Sequence, residues 1–132
     1  MVFVVQITKI PEGYHSVNPY IVIDNAKKFI LFLQSVFGAT KIKEVSSGGK
    51  DYYAEVKVGD TYIMIEENKN AISQKGTCFW VYVRDVTFTY KQALTAGCTS
   101  LEPPKCKYGV DYVARVRDPF DIIWLISSFI SG

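Results

Sequence analysis

The sequence predicts an α+β fold: two βαβββ modules in tandem, each with one helix packed on a mostly antiparallel sheet. Two observations carry this. First, the chain is written twice, since residues 17–67 and 78–127 each run strand, helix, then strands, a repeat with a period of about 60 residues. Second, the two halves share their punctuation. In each, an apolar run meets an Asp (Asp24, Asp85), a helix-period segment follows, and a Gly (Gly38, Gly97) closes it. Each half then ends in a strand pair around a turn, YYAEVKVGDTYIMIEE in the first and YVARVRDPFDIIWLIS in the second.

MVFVVQITKI reads as a short leading strand or arm, cut off by the turn signal Pro11-Glu12-Gly13. Tyr20–Ile23 is a β-rich run, and Asp24 or Asn25 is placed to cap the helix that follows. From Ala26 to Phe37, the residues Phe29, Leu33, Val36 and Phe37 fall on one stripe, and Gly38 supplies the stop. Thr40–Val45 reads as a strand, Ser46-Ser47-Gly48-Gly49 as a turn, and Tyr52–Val58 as the antiparallel partner. Gly59-Asp60 turns the chain into a third strand, Thr61–Glu67. Residues 68–77 are polar and aperiodic, a linker between the modules. The second half predicts a strand at Phe79–Val83 and a helix over Thr87–Thr95. A loop through Pro103-Pro104 and Tyr108-Gly109 follows, then strands Asp111–Arg117 and Ile122–Ser127 joined at Asp118-Pro119. Sheets this small leave exposed edges, and the halves gain by pairing with each other or with another chain's halves, so a homodimer is expected.

The 132 residues are one domain's worth of chain with the apolar content of a soluble globular protein. A net charge of +2 with scattered lysines gives no basic stripe for nucleic acid. DIIWLISSFI is too short to span a membrane, and the first ten residues lack the basic lead of a signal peptide. Three cysteines without paired spacing fit a reducing cytosol, so the expected location is cytoplasmic.

The stretches PEGYHSVNPYIVIDNAKKFILFL, VFGA, YAEVKVGDTYIMI, VYVRDV, AGCTSLEPP and YGVDYVARVRDPFDIIWLIS, which lie within residues 11–128, resemble the vicinal-oxygen-chelate superfamily. That superfamily includes glyoxalase I, bleomycin-resistance proteins and extradiol dioxygenases, and the match is to its PhnB-like branch. RDPF followed by an apolar strand with Trp is the most specific piece. The resemblance implies cupped sheets whose hollow holds a small ligand and, in the enzymes, a divalent metal. It also implies where metal ligands would stand: on the first and last strands of each module. Aligning the halves on Asp24 and Asp85 puts Val17 and Cys78 at the first-strand positions, and Leu125 with Ile65 or Met64 at the last. These are not a hard-metal donor set. A slip of one or two residues brings in Glu66, which with Cys78 is the alternative metal pair.

Other residues have two readings each. Cys78 shares a strand face with Trp80 and Tyr82, as a thiolate ligand or nucleophile, or as a small buried apolar residue. His15 is a general base or dimer contact, or a loop residue. Tyr53 stands where PhnB-like relatives often carry His, and lines a pocket or packs. Glu55 shares its face, and Glu66 and Glu67 end the next strand, either orienting a polar ligand or facing solvent. Arg115 and Arg117 point to one side, as an anion clamp or as a charged outer face with an Arg117–Asp118 pair in the RDP turn. Trp124 is expected to pack under a helix, whereas Trp80 and Tyr82 line the hollow.

The function these features predict is metal-free binding of a small organic ligand in an aromatic hollow lined by Tyr53, Trp80, Tyr82, Cys78 and Arg115. One alternative is a lyase, isomerase or dioxygenase that uses a divalent metal with Glu66, Cys78 and His15. The other is a structural dimer with no ligand site.

Overall fold

The computed structural model describes residues 9–47, 51–107 and 111–129. The first module comprises β1 (Tyr20–Ile23), α1 (Ala26–Phe37), β2 (Thr40–Ser47), β3 (Asp51–Val58) and β4 (Thr61–Glu67). The second comprises β5 (Cys78–Tyr82), α2 (Val86–Thr95), β6 (Thr99–Lys107), β7 (Asp111–Arg117) and β8 (Ile123–Phe129). Among the described residues, each module is a four-stranded sheet, ordered β1-β4-β3-β2 and β5-β8-β7-β6. The first strand of each runs parallel to the last, because the helix carries the chain back across the sheet, and the other pairs are antiparallel. This is the α+β architecture of paired βαβββ units that the repeat predicts.

Strand alternation gives each sheet a helix-facing and an opposite face. In β3, Tyr52, Ala54 and Val56 are buried while Tyr53 and Glu55 point the other way. Both helix-facing sides join one apolar core. α1 buries Ile30 and Phe32 beyond the predicted stripe, because the helix meets its own sheet on one side and the second module on the other. Phe32 and Phe37 reach Trp124, Phe29 meets Phe120 edge-on at 5.3 Å, and α1 touches α2. The helices therefore lie between the sheets, and the two opposite faces, called concave below, turn away from each other.

The RDPF turn locks the second module. Asp118 is buried and accepts from the backbone N–H groups of Phe120 (2.8 Å) and Ile122 (3.0 Å) and from the Trp124 indole (2.7 Å). Trp124 packs under the helices as expected, but Asp118 is held by these donors rather than by Arg117, which is exposed. Burial pushes the Asp118 carboxyl up, and its three donors oppose that. Gly97 sits against this turn: a Cβ there would stand 3.2 Å from Pro119 Cγ, and its φ is +103°.

The structure differs from the sequence reading elsewhere too: Ser46 and Ser47, read as part of a turn, end β2 opposite Tyr52 and Asp51. The stretch around Pro103-Pro104 is not a loop but the edge strand β6, with register shifts on both sides of Glu102. Proline lacks an N–H to give a ladder, so an edge with bulges is where a sheet tolerates it. At the start of α1, neither Asp24 nor Asn25 caps through its side chain; Asn25 adopts φ 66°, and Ala26 N–H donates to Glu67 Oε1 at 3.0 Å. Asp85 does cap α2, accepting from Phe88 N–H at 3.0 Å. Finally, the halves align one residue away from the Asp24–Asp85 pairing. Tyr20 pairs with Met64 as Trp80 pairs with Leu125, so Asn18, not Val17, is the counterpart of Cys78. The leading strand at 1–8, Gly48-Gly49 and Tyr108-Gly109 lie outside the described residues.

Candidate functional site

On the concave face of the first module, alternation brings up Tyr53 and Glu55 from β3, Met64 and Glu66 from β4 and Tyr20 from β1. Tyr53 donates to Glu55 Oε2 at 2.8 Å and Tyr20 to Glu66 Oε1 at 2.6 Å. The Tyr20 and Tyr53 rings stack with centroids 6.1 Å apart. Beside them is a cleft of about 330 Å³ bordered by Val45, Asp51 and Glu67. A third tyrosine comes from the loop ahead of β1. Tyr14 donates to Glu55 Oε1 and meets Tyr62 edge-on at 4.8 Å. Gly13 is required there, because a Cβ would fall 2.5 Å from the Tyr62 ring and φ is +88°. Burial pushes Glu55 up, but the two phenol donors and Lys43 outweigh it and hold the carboxyl below its usual range. Burial, and then the same carboxylate, pushes the Tyr14 and Tyr53 hydroxyls up.

The loop encloses a second cleft of about 630 Å³ lined by Ile10, Tyr14, His15, Asn18, Lys43, Glu55 and Met64. His15 is exposed here, and its backbone is clasped by Asn18, which accepts from His15 N–H at 2.9 Å and donates to His15 O at 2.7 Å.

The concave face of the second module carries Cys78, Trp80 and Tyr82 on the edge strand β5. Across the sheet, Trp80 lies beside Leu125, Leu125 beside Arg115, and Arg115 beside Glu102. Trp80 and Tyr82 have ring centroids 6.2 Å apart. Glu102 is paired with Lys105 at 2.9 Å and with Lys107, and these two lysines lower its pKa to about 2. Cys78 is exposed rather than buried, its Sγ 3.9 Å from Gly76 O. A groove of about 480 Å³ runs along β5 and is bordered by Pro19, Phe37 and the β3–β4 turn.

The residues predicted to share one hollow thus fall in two places within the chain. Trp80, Tyr82, Cys78 and Arg115 stand together on the second module, whereas Tyr53 stands on the first, facing away from them. Sequence reasoning did not foresee Tyr14, whose loop has no periodicity, or the Glu102–lysine cluster, which belongs to the strand read as a loop. A divalent metal does not fit these donors. The ligand positions hold Asn18, Cys78, Met64 and Leu125, with the Asn18 amide spent on its own loop. Glu66 is engaged by Tyr20 and lies on a different sheet from Cys78. Among the described residues, no three His, Cys, Asp or Glu side chains converge on one point. No helix among them is long and apolar enough to cross a membrane.

The family described as the Glyoxalase/Bleomycin resistance protein/Dioxygenase superfamily matches residues 13–126. The chain belongs to this superfamily. Solved structures share its fold. A glyoxalase/bleomycin resistance protein/dioxygenase family enzyme from Burkholderia phytofirmans PsJN superposes with a TM-score of 0.72 at 19% identity, over 84% of this chain and 95% of that one. TioX from Micromonospora sp. ML1 gives 0.69 at 18% identity, over 89% and 98%. The fosfomycin resistance protein FosX from Mesorhizobium loti gives 0.67 at 11% identity, over 89% and 92%. No curated protein matches the sequence. At these identities the likeness speaks for the fold alone.

Proposed function

We propose that this superfamily member binds a small organic ligand, without a metal, in an aromatic hollow that two copies of the chain build together. One observation carries the reading: Tyr20, Trp80 and Tyr82 stand 51%, 39% and 62% exposed on the concave faces, each on an edge strand. Exposed aromatics on strands that stand at a sheet edge among the described residues are costly in a free chain and useful at an interface or ligand site. The faces also complement each other in charge. Asp51, Glu55 and Glu66 outnumber Lys43 and Lys57 on the first, while Lys105, Lys107, Arg115 and Arg117 outnumber Glu102 and Asp111 on the second. A homodimer that sets the first module of one copy against the second module of the other would bring Tyr53 to Trp80, Tyr82, Cys78 and Arg115. The Asp118–Trp124 lock in the RDPF turn supports a place in the PhnB-like branch, and three free cysteines suit the cytoplasm.

Equilibrium dialysis in EDTA tests this, with three probes: naphthalene-2-carboxylate, naphthalene-2-methanol and naphthalen-2-ylmethylammonium. At least one is expected to bind saturably, and roughly tenfold more weakly to Trp80→Ala. Absence of saturable binding, or indifference to Trp80→Ala, would contradict the reading.

A further inference from the structure

Arg115 sits mid-strand on the concave face of the second module, opposite Leu125 on one side and Glu102 on the other. Its Nε is buried and has no hydrogen-bond partner. A guanidinium does not lose its proton, so a buried N–H without an acceptor is costly until one arrives. The neighbouring carboxylates do not fill that role. Glu102 is already neutralised by Lys105 and Lys107. Asp111 lies four residues back on the same face, about 13 Å along the strand, and its own Oδ1 is likewise buried without a hydrogen-bond partner. The face therefore carries four basic side chains, Lys105, Lys107, Arg115 and Arg117, against two acidic ones.

What lies next to Arg115 sets the shape of its acceptor. Leu125 separates Arg115 from Trp80 in a single cross-strand row, which puts their backbones about 10 Å apart. A fused ring lying on Leu125 against Trp80 would bring a group on its rim to the guanidinium. We infer that this face takes a planar organic anion, its ring against Trp80 and its carboxylate, sulfonate or phosphate accepting from Arg115. The inference rests on the ligand-binding reading and adds the ligand's charge and orientation.

The three naphthalene probes test it by their ratio. The carboxylate is expected to bind roughly tenfold or more tightly than the alcohol, with the ammonium weakest. Arg115→Gln should bring the carboxylate-to-alcohol ratio close to unity while alcohol binding persists, and Arg117→Gln should leave the ratio largely intact. Equal binding of carboxylate and alcohol to the wild-type protein overturns the inference and leaves the binding reading standing. So does a ratio untouched by Arg115→Gln. If Arg115→Gln does not fold, the wild-type ratio decides alone. If none of the three probes binds, the binding reading falls and the anion with it.

Discussion

At Glu55, two tyrosine hydroxyls from distant parts of the chain meet one carboxylate. Burial alone would raise its pKa, yet the donors Tyr14 and Tyr53, with Lys43 nearby, lower it in the folded protein. The unfolded chain should titrate near the ordinary value of about 4.3. The folded carboxyl thus holds its proton less tightly, so the group contributes stability above that pH and loses it as pH falls through the lower folded value. We therefore expect Glu55→Gln to be less stable than wild type at pH 7, with the difference shrinking below about pH 4. Thermal unfolding of both proteins from neutral to acid pH measures this. A difference that is constant or grows in acid would contradict it. Strand alternation alone places Tyr53 and Glu55 on one face. Tyr14 was not legible, because it arrives from an aperiodic loop and its place depends on Gly13 lying flat against Tyr62.

The helices show how equivalent elements of a duplicated fold can be held differently. α2 starts on Asp85, whose carboxylate takes an orphan N–H, whereas α1 starts on a left-handed Asn25 and borrows Glu67 from β4. Asp85→Ala is therefore expected to cost about 1 kcal/mol. Asn25→Gly should be neutral or slightly stabilising, because Asn25 makes no cap and glycine accepts its backbone freely. Urea unfolding of the two variants distinguishes them; equal losses would refute the asymmetry. The bounds of β1, α1, β4 and β7 were readable from apolar period and flanking glycines. β6 was not, because two consecutive prolines carry a turn signal, and only its position at the sheet edge makes them compatible with a strand.

For the whole molecule, the tandem repeat was visible in the sequence, but the direction in which the modules face was not. That direction is set by packing: Phe29, Phe32, Phe37, Phe120 and Trp124 join the helix-facing sides into one core and turn both concave faces outward. Tyr53 and Trp80, which alternation places on the concave faces of their own sheets, consequently end on opposite sides of the chain. The same geometry leaves both faces open to the second copy proposed above, and leaves Asn18, Cys78, Met64 and Leu125 where a metalloenzyme would need hard donors. Native mass spectrometry of the protein, purified without chelator, reads assembly and metal together. The expected species has twice the chain mass and carries no stoichiometric metal; a monomer, or a species holding one divalent ion per chain, would contradict a two-copy, metal-free hollow.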